Sequence, residues 1–213
     1  MIVLIHGIGN NSESWADNIK LDAVSVCWDS LLINKEKRLQ TSLGYSKIRK
    51  LFFDYGGDLT AYSGDYYGPI HEKVNQKLFG LSKLTIVAHS LGCVIANNFI
   101  YDLQNPDSPG NNYFKSNIDK KAIEDCTLIT LGNPLFLYAI GKDFKPIKVK
   151  KWINITCPSD VIAYPVRDIP NHNLDYIEDK FMRVGNLIEK WTPWSHGVHL
   201  YDKKVLDLIN SQI

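Results

Sequence analysis

Residues 88 to 92 read Ala-His-Ser-Leu-Gly. They follow the apolar run Lys83-Leu84-Thr85-Ile86-Val87 and precede an apolar helical pattern that opens at Cys93-Val94-Ile95-Ala96. A serine between a strand and a helix, with small residues two before and two after it, can occupy a turn tight enough to lift its hydroxyl clear of a sheet. Gly92 has no Cβ to meet the neighbouring chain at such a turn, and the side chain of Ala88 is nearly the smallest. A hydroxyl held this way becomes a nucleophile once a base takes its proton, so the chemistry suggested is acyl transfer through a covalent intermediate. Five-residue patterns with two small positions also arise by chance. The weight therefore falls on the strand–turn–helix setting and on partners elsewhere in the chain.

Ser90 needs a base, and the chain offers His6, His71, His89, His172, His196 and His199. His6 and His89 end apolar runs that read as buried strands, so they shape the surroundings of the serine rather than act as its base. His71 opens a helical pattern with no reason to reach the turn, and His172 falls in an irregular stretch. His196 lies on a loop in Thr-Pro-Trp-Ser-His-Gly, between the last expected strand and the last helix. That is where a base that follows both serine and acid in chain order should sit. His199 is the rival, with capping or packing at the helix start as its plainer role.

A carboxylate must orient the imidazole. Asp160, in Thr-Cys-Pro-Ser-Asp-Val, directly follows the apolar run 151–156. There it can accept from Nδ1 and stabilise the imidazolium. Its plainer role is to cap a short turn at Val161. Asp168, Asp175 and Asp179 are weaker rivals, because none directly follows an expected core strand. The oxyanion needs two backbone N–H donors. Leu91, first in the helix after the serine, supplies one, and Ile8, in His-Gly-Ile-Gly-Asn at 6–10, supplies the other. As a phosphate-binding turn, His-Gly-Ile-Gly lacks a third glycine, position 12 being serine, and lacks the lysine of a phosphate loop.

In this order, strand-His-Gly-x-Gly, strand-x-His-Ser-x-Gly-helix, strand-x-x-Ser-Asp and a late histidine, the chain resembles the α/β-hydrolase superfamily over nearly its full length. It looks most like compact bacterial esterase- or lipase-like members without an inserted cap. The block Thr-Leu-Gly-Asn-Pro-Leu at 130–135 and the late His-x-x-His-Leu-Tyr-Asp are similar to those of such members. The resemblance implies Ser90 as nucleophile, Asp160 as acid, His196 as base, and the Ile8 and Leu91 amides as oxyanion hole, with no cofactor and no metal. Two features depart from the pattern. Ala88 stands where glycine is commonest, and the chain begins at the strand carrying His-Gly, as though the leading edge strands of larger members were missing.

These residues need a scaffold. Apolar runs rich in Ile, Val and Leu near 1–6, 23–28, 84–89, 126–131, 151–156 and 181–185 predict strands buried on both faces. Helical patterns near 13–20, 30–53, 68–80, 91–104 and 202–211 alternate with them, the last capped by Asp202. The expected fold is a single α/β domain over 1–213, with a mostly parallel sheet of about six strands flanked by helices. Its length of 213 residues suffices for one sizeable core.

A net charge of +1 gives no strong pull toward nucleic acid or an anionic membrane. The N-terminal Met-Ile-Val-Leu-Ile is too short for a signal sequence, and no run approaches a membrane span, so a cytoplasmic protein is expected. Cys27, Cys93, Cys126 and Cys157 form no Cys-x-x-Cys pair and read as reduced core residues. The expected substrate is a small-molecule ester, thioester or lipid, with Tyr164, Trp191 and Trp194 as candidate pocket or rim aromatics, or plain core or surface aromatics. Tyr62, Tyr66 and Tyr67 form a cluster that either covers the cleft as a short lid or joins two helices. Two other functions fit the same residues: acyl transfer to an alcohol or amine, and non-catalytic binding by a retained fold.

Overall fold

The computed structural model describes residues 1–7, 23–28, 56–57, 59–113, 118–140, 143–170, 172 and 174–212. Six strands run β1 (Ile2–Ile5), β2 (Ala23–Val26), β3 (Thr85–His89), β4 (Thr127–Leu131), β5 (Lys151–Thr156) and β6 (Ile177–Phe181). They form one sheet in the order β2-β1-β3-β4-β5-β6. Every pairing is parallel. The described helices are α1 (Tyr67–Leu78), α2 (Leu91–Gln104), α3 (Lys120–Glu124), α4 (Leu135–Ala139) and α5 (Lys203–Asn210).

Period-two alternation along the strands feeds two cores. Val3, Ile5, Ile86, Ala88, Leu128 and Trp152 face one side, under Ile70 and Val74 of α1 and Val94, Ile95 and Phe99 of α2. Ile2, Leu4, Val87, Ile129, Ile153 and Ile155 face the other, under Val205 and Ile209 of α5. Because both faces are covered, the central strands read as continuous apolar runs. Helix α2 is buried almost all round.

The strand order reverses at β1, which pairs with β2 on one side and β3 on the other. In open parallel sheets the crevice at such a reversal, beyond the carboxyl ends of the strands, is where ligands bind. Here those ends lead directly into His6-Gly7 and Ser90.

The expected α/β sheet is thus present, and it is wholly parallel. One strand is corrected. The strand expected near 181–185 is Ile177–Phe181. It is an edge strand paired only with β5, and Glu178, Asp179 and Lys180 dilute its hydropathy. The apolar signal that pointed further along belongs to Met182 and Val184 on the exit from the strand, where Val184 is fully buried. Helices α3 and α4, five residues each, are too short to show a periodicity. Asp202 caps α5, accepting from the Lys204 N–H at 2.9 Å. The helices expected at 13–20 and 30–53 lie outside the described residues.

The tyrosine cluster belongs to the core rather than to a lid. Tyr62 is fully buried, with its hydroxyl 2.8 Å from His71 Nε2 and accepting from Asn98 Nδ2 at 3.1 Å. Tyr67 donates to the buried carboxylate of Asp102. These bonds tie residues 62–71 to α2. The four cysteines are free thiols. Burial pushes the Cys126 thiol up to about 12 and that of Cys93 still higher, so neither competes with a serine as nucleophile.

Three buried histidines, His71, His89 and His199, couple the fold to pH, each held low first of all by desolvation. Desolvation, with Lys145 nearby, brings His71 down to about 3. Desolvation, with His196 and His199 nearby, does the same to His89. Unfolded, each imidazole takes a proton near pH 6.5; folded, His71 and His89 do so only near 3. Between these values the unfolded chain binds more protons, so stability falls as the pH falls from about 6.5 toward 3. The lowered Asp160 carboxyl adds its own loss only below about pH 4. We therefore expect the urea midpoint to drop between pH 7 and 4.5, with proton uptake on unfolding of about two from His71 and His89 and a further part from His199, whose imidazole burial also holds low. A midpoint unchanged over that range would show that these imidazoles are not buried neutral.

Candidate active site

The chain reaches Ser90 as β3 ends and α2 begins. Ser90 has φ 55° and ψ −131°, and it is the one non-glycine residue with positive φ among the described residues. Such a backbone costs an L-residue about 1–3 kcal/mol and persists only where its surroundings over-determine it. Here the Ser90 N–H donates to the Leu131 carbonyl of β4 at 3.0 Å, and its carbonyl accepts from Cys93 at 2.9 Å. Two glycines make room for the turn. A Cβ on Gly92 would lie 2.3 Å from the Ile5 carbonyl oxygen, and one on Gly7 would lie 2.3 Å from Ser90 Cβ. The end of β1 therefore presses directly against the serine.

His196 arrives on a 3-10 turn, Pro193–Gly197. Its Nε2 is 2.8 Å from Ser90 Oγ, and its Nδ1 is 2.8 Å from Asp160 Oδ2. All three residues are buried. Asp160 follows β5, and its Oδ1 accepts from the Ile162 N–H at 3.0 Å, so the capping bond and the imidazole contact coexist on one carboxylate. Burial alone would raise its pKa. The His196 and His199 imidazoles and the Ile162 amide outweigh burial and hold the carboxyl well below its usual range. The carboxylate is therefore an anion facing the imidazole.

The supports of these loops explain the other histidines. His89 Nε2 lies 2.7 Å from the His196 carbonyl, anchoring the loop that carries the imidazole. His199 is fully buried, with Nε2 3.6 Å from Asp160 Oδ2 on the carboxylate His196 contacts; burial depresses its pKa against the pull of Asp160. His6 accepts from the Trp28 N–H at 3.2 Å and stacks on the Trp28 indole, joining the exits of β1 and β2. His172 packs edge-on against Phe144. Among the rival acids, Asp179 accepts from the Val166 and Arg167 amides at 3.1 and 2.9 Å. Asp175 pairs with Arg167 at 2.9 Å, and Asp168 is exposed.

Two residues of the site, Gly132 and Ser159, stand in blocks legible in the sequence but were given no role there. Gly132, at the end of β4, has φ +57°, and a Cβ there would sit 3.0 Å from His196 Nδ1 and 3.3 Å from Asp160 Oδ2. Its bare Cα gives the imidazole–carboxylate pair its seat. Ser159 Oγ lies 3.2 Å from Ser195 Oγ and donates to the Lys190 carbonyl at 3.0 Å, latching the acid loop to the base loop. Gly132 was visible as the glycine ending an apolar run in Thr-Leu-Gly-Asn-Pro-Leu. Ser159 was visible beside Asp160, but its bonds to Ser195 and the Lys190 carbonyl left no signal.

Leu91 is the first residue of α2, where an amide has no intrahelical acceptor. Ile8 lies outside the described residues. Tyr164 is half-buried, with its N–H on the Asn133 carbonyl at 3.0 Å and its ring stacked on Phe136 at 5.4 Å. Phe136 also lines a cavity of about 260 Å³, with Ala139, Ile140, Phe144, Ile169 and Pro170 and, as its polar part, Asp143 and His172. Trp194 is exposed on the turn that carries His196. No helix among the described residues is long and apolar enough to cross a membrane.

A comparison with curated proteins finds no match. A family model described as "Putative serine esterase (DUF676)" matches residues 1–157. The match takes in β1 to β5 and the Ser90 turn, and it ends before Asp160 and His196. Covering well over half of the chain, it shows that the protein belongs to this serine esterase family.

Proposed function

We propose that the protein is a serine hydrolase that cleaves a carboxylic ester or thioester through an acyl-enzyme. The observation that carries this is the unbroken relay from the Asp160 carboxylate through the His196 imidazole to the Ser90 hydroxyl, with both links at 2.8 Å. With Asp160 holding Nδ1–H, Nε2 carries the lone pair that accepts the Ser90 proton as Oγ attacks the carbonyl. The Leu91 amide, helped by the helix N-terminus, faces the developing oxyanion, and Ile8, next to Gly7, supplies the second donor. His196 then protonates the leaving group, and water repeats the sequence to release the acid. The cavity beside Phe136, apolar except for Asp143 and His172, is offered as a seat for part of the substrate. Its lining residue Phe136 stacks on Tyr164, four residues after Asp160.

The test is labelling by a fluorophosphonate, followed by hydrolysis of p-nitrophenyl esters graded by chain length. The native chain is expected to label and Ser90→Ala not to. A native chain that is folded yet neither labels nor turns over any ester would sink the proposal. Adding an alcohol to the same assay separates hydrolysis from acyl transfer by its product.

A further inference from the structure

His89 precedes the nucleophile by one residue, and its side chain reaches the base. Period-two alternation puts it on the face of β3 that Val87 occupies, opposite Ile86 and Ala88. That face lies under α5 and under Val198 and Leu200, on the chain that leads into α5. The imidazole is buried there. Its Nε2 is 2.7 Å from the His196 carbonyl oxygen. Its ring centroid is 5.1 Å from that of His196 and 5.8 Å from that of His199.

The bond fixes the state of the ring. A carbonyl oxygen only accepts, so Nε2 carries the proton and Nδ1 the lone pair. The titratable groups that face the ring are His196, His199 and Asp160. Burial and the two neighbouring imidazoles keep it neutral against the pull of Asp160. A neutral donor suits the place, because a positive charge here would oppose the imidazolium that His196 becomes when it takes a proton.

The bond also serves a carbonyl on the turn that carries the base. Of its neighbours, the Ser195 carbonyl accepts from the Val198 N–H at 3.4 Å and the Val198 carbonyl from the Tyr201 N–H at 3.0 Å. The His196 carbonyl takes the His89 imidazole instead. At its own backbone His89 belongs to the sheet. It stands opposite Leu131 in the β3–β4 register, and the next amide, that of Ser90, donates to the Leu131 carbonyl at 3.0 Å. One residue thus ties the backbone of the base to the strand that delivers the nucleophile. We infer that His89 is a positioning residue, which holds the His196 imidazole in line with Ser90 Oγ through the backbone of the base. The inference rests on the esterase proposal. Placement of this kind matters to rate, since an error of about 1 Å at the reacting groups can cost about 10²-fold.

The experiment has two parts. The first compares the native chain, His89→Leu and His89→Gln on a p-nitrophenyl ester, with kcat counted per site that a fluorophosphonate labels. Leucine has no donor, and glutamine carries one at a similar reach. His89→Leu should lower kcat by about 10- to 100-fold with KM within about twofold of native, and His89→Gln should recover kcat to within about threefold. Loss of packing alone would lower Tm and the number of labelled sites, and the glutamine would not restore the rate. His89→Leu turning over at the native rate overturns the inference, as does His89→Gln falling as far as His89→Leu. The second part needs neither activity nor a folded variant. Long-range ¹H–¹⁵N spectra of the native chain with labelled histidine should show His89 protonated on Nε2 alone at pH 7. A proton on Nδ1 alone overturns the inference, because Nε2 could not then donate to His196. A folded native chain that neither labels nor hydrolyses any ester would fail the esterase proposal, while an Nε2–H His89 would still uphold its hold on His196. An active native chain with an unaffected His89→Leu would do the reverse.

Discussion

Replacing Ser90 with alanine is expected to lower kcat for any ester the protein hydrolyses by about 10⁴- to 10⁶-fold. His196→Ala should match it, and the double variant should lose little more. Nucleophile and base act as a unit: without the imidazole at 2.8 Å, the hydroxyl keeps its proton, and without the hydroxyl, the imidazole has nothing to activate. Asp160→Asn should cost less, about 10³- to 10⁴-fold, because the carboxylate touches no reacting atom. The amide also offers the wrong partner. An NH₂ turned toward Nδ1 favours the tautomer whose proton sits on Nε2, where the Ser90 proton must go. The separating control is His199→Gln. His199 is 3.6 Å from the same carboxylate oxygen, while the imidazole at 2.8 Å from Ser90 Oγ is that of His196, so the loss of His199 should leave most of kcat. If His199→Gln fell as far as His196→Ala, the base would have been misassigned. Circular dichroism on each variant keeps a folding defect from passing for a chemical one.

These expectations rest on a scaffold that was legible in the sequence because its central strands are buried on both faces. Ile2–Ile5, Thr85–His89, Thr127–Leu131 and Lys151–Thr156 announce themselves as apolar runs, since no solvent-facing side dilutes them. The edge strand does not. In Ile177–Phe181 the polar residues serve structure, Asp179 tying down the turn at Val166–Arg167 and Lys180 pairing with Glu178 at 2.8 Å. Hydropathy therefore placed that strand too late. The same contrast runs through the candidate site. Ser90, Asp160 and His196 could be named because each follows a strand in the order the chemistry needs. The contributions of Gly132, Ser159 and His89 depend on which loops meet across the top of the sheet. Such meetings are long-range, and neither spacing nor periodicity encodes them.

Gly92→Ala is the substitution expected to cost the fold most for one methyl group. The new Cβ would lie 2.3 Å from the Ile5 carbonyl oxygen, 2.6 Å from that of His6 and 2.9 Å from the Ile5 carbonyl carbon. All three are backbone atoms at the end of β1, and β1 is hydrogen-bonded to strands on both sides. No side chain can swing away to relieve the clash, so α2 must lift from the sheet. Because α2 is buried almost all round, the lift disturbs packing on every side of it. Overpacking of a core costs about 1–3 kcal/mol and more when the backbone must shift, so we expect about 3 kcal/mol or more. For a chain of this size that is a fall in Tm of about 6–12 °C. Gly7→Ala tests the other wall of the turn and should divide differently. Its Cβ would meet Ser90 Cβ at 2.3 Å, the His89 carbonyl oxygen at 2.9 Å and Ser90 Oγ at 3.0 Å, so relief displaces the serine and the end of β3 that carries it. Activity should then be lost out of proportion to stability. Gly57→Ala, with nothing within 4 Å of the new Cβ, is the control and should leave Tm unchanged or raise it slightly. If Gly92→Ala melted with the native chain, α2 could not lie against β1 as closely as the turn at Ser90 requires, and the positive φ of that serine would lose its cause.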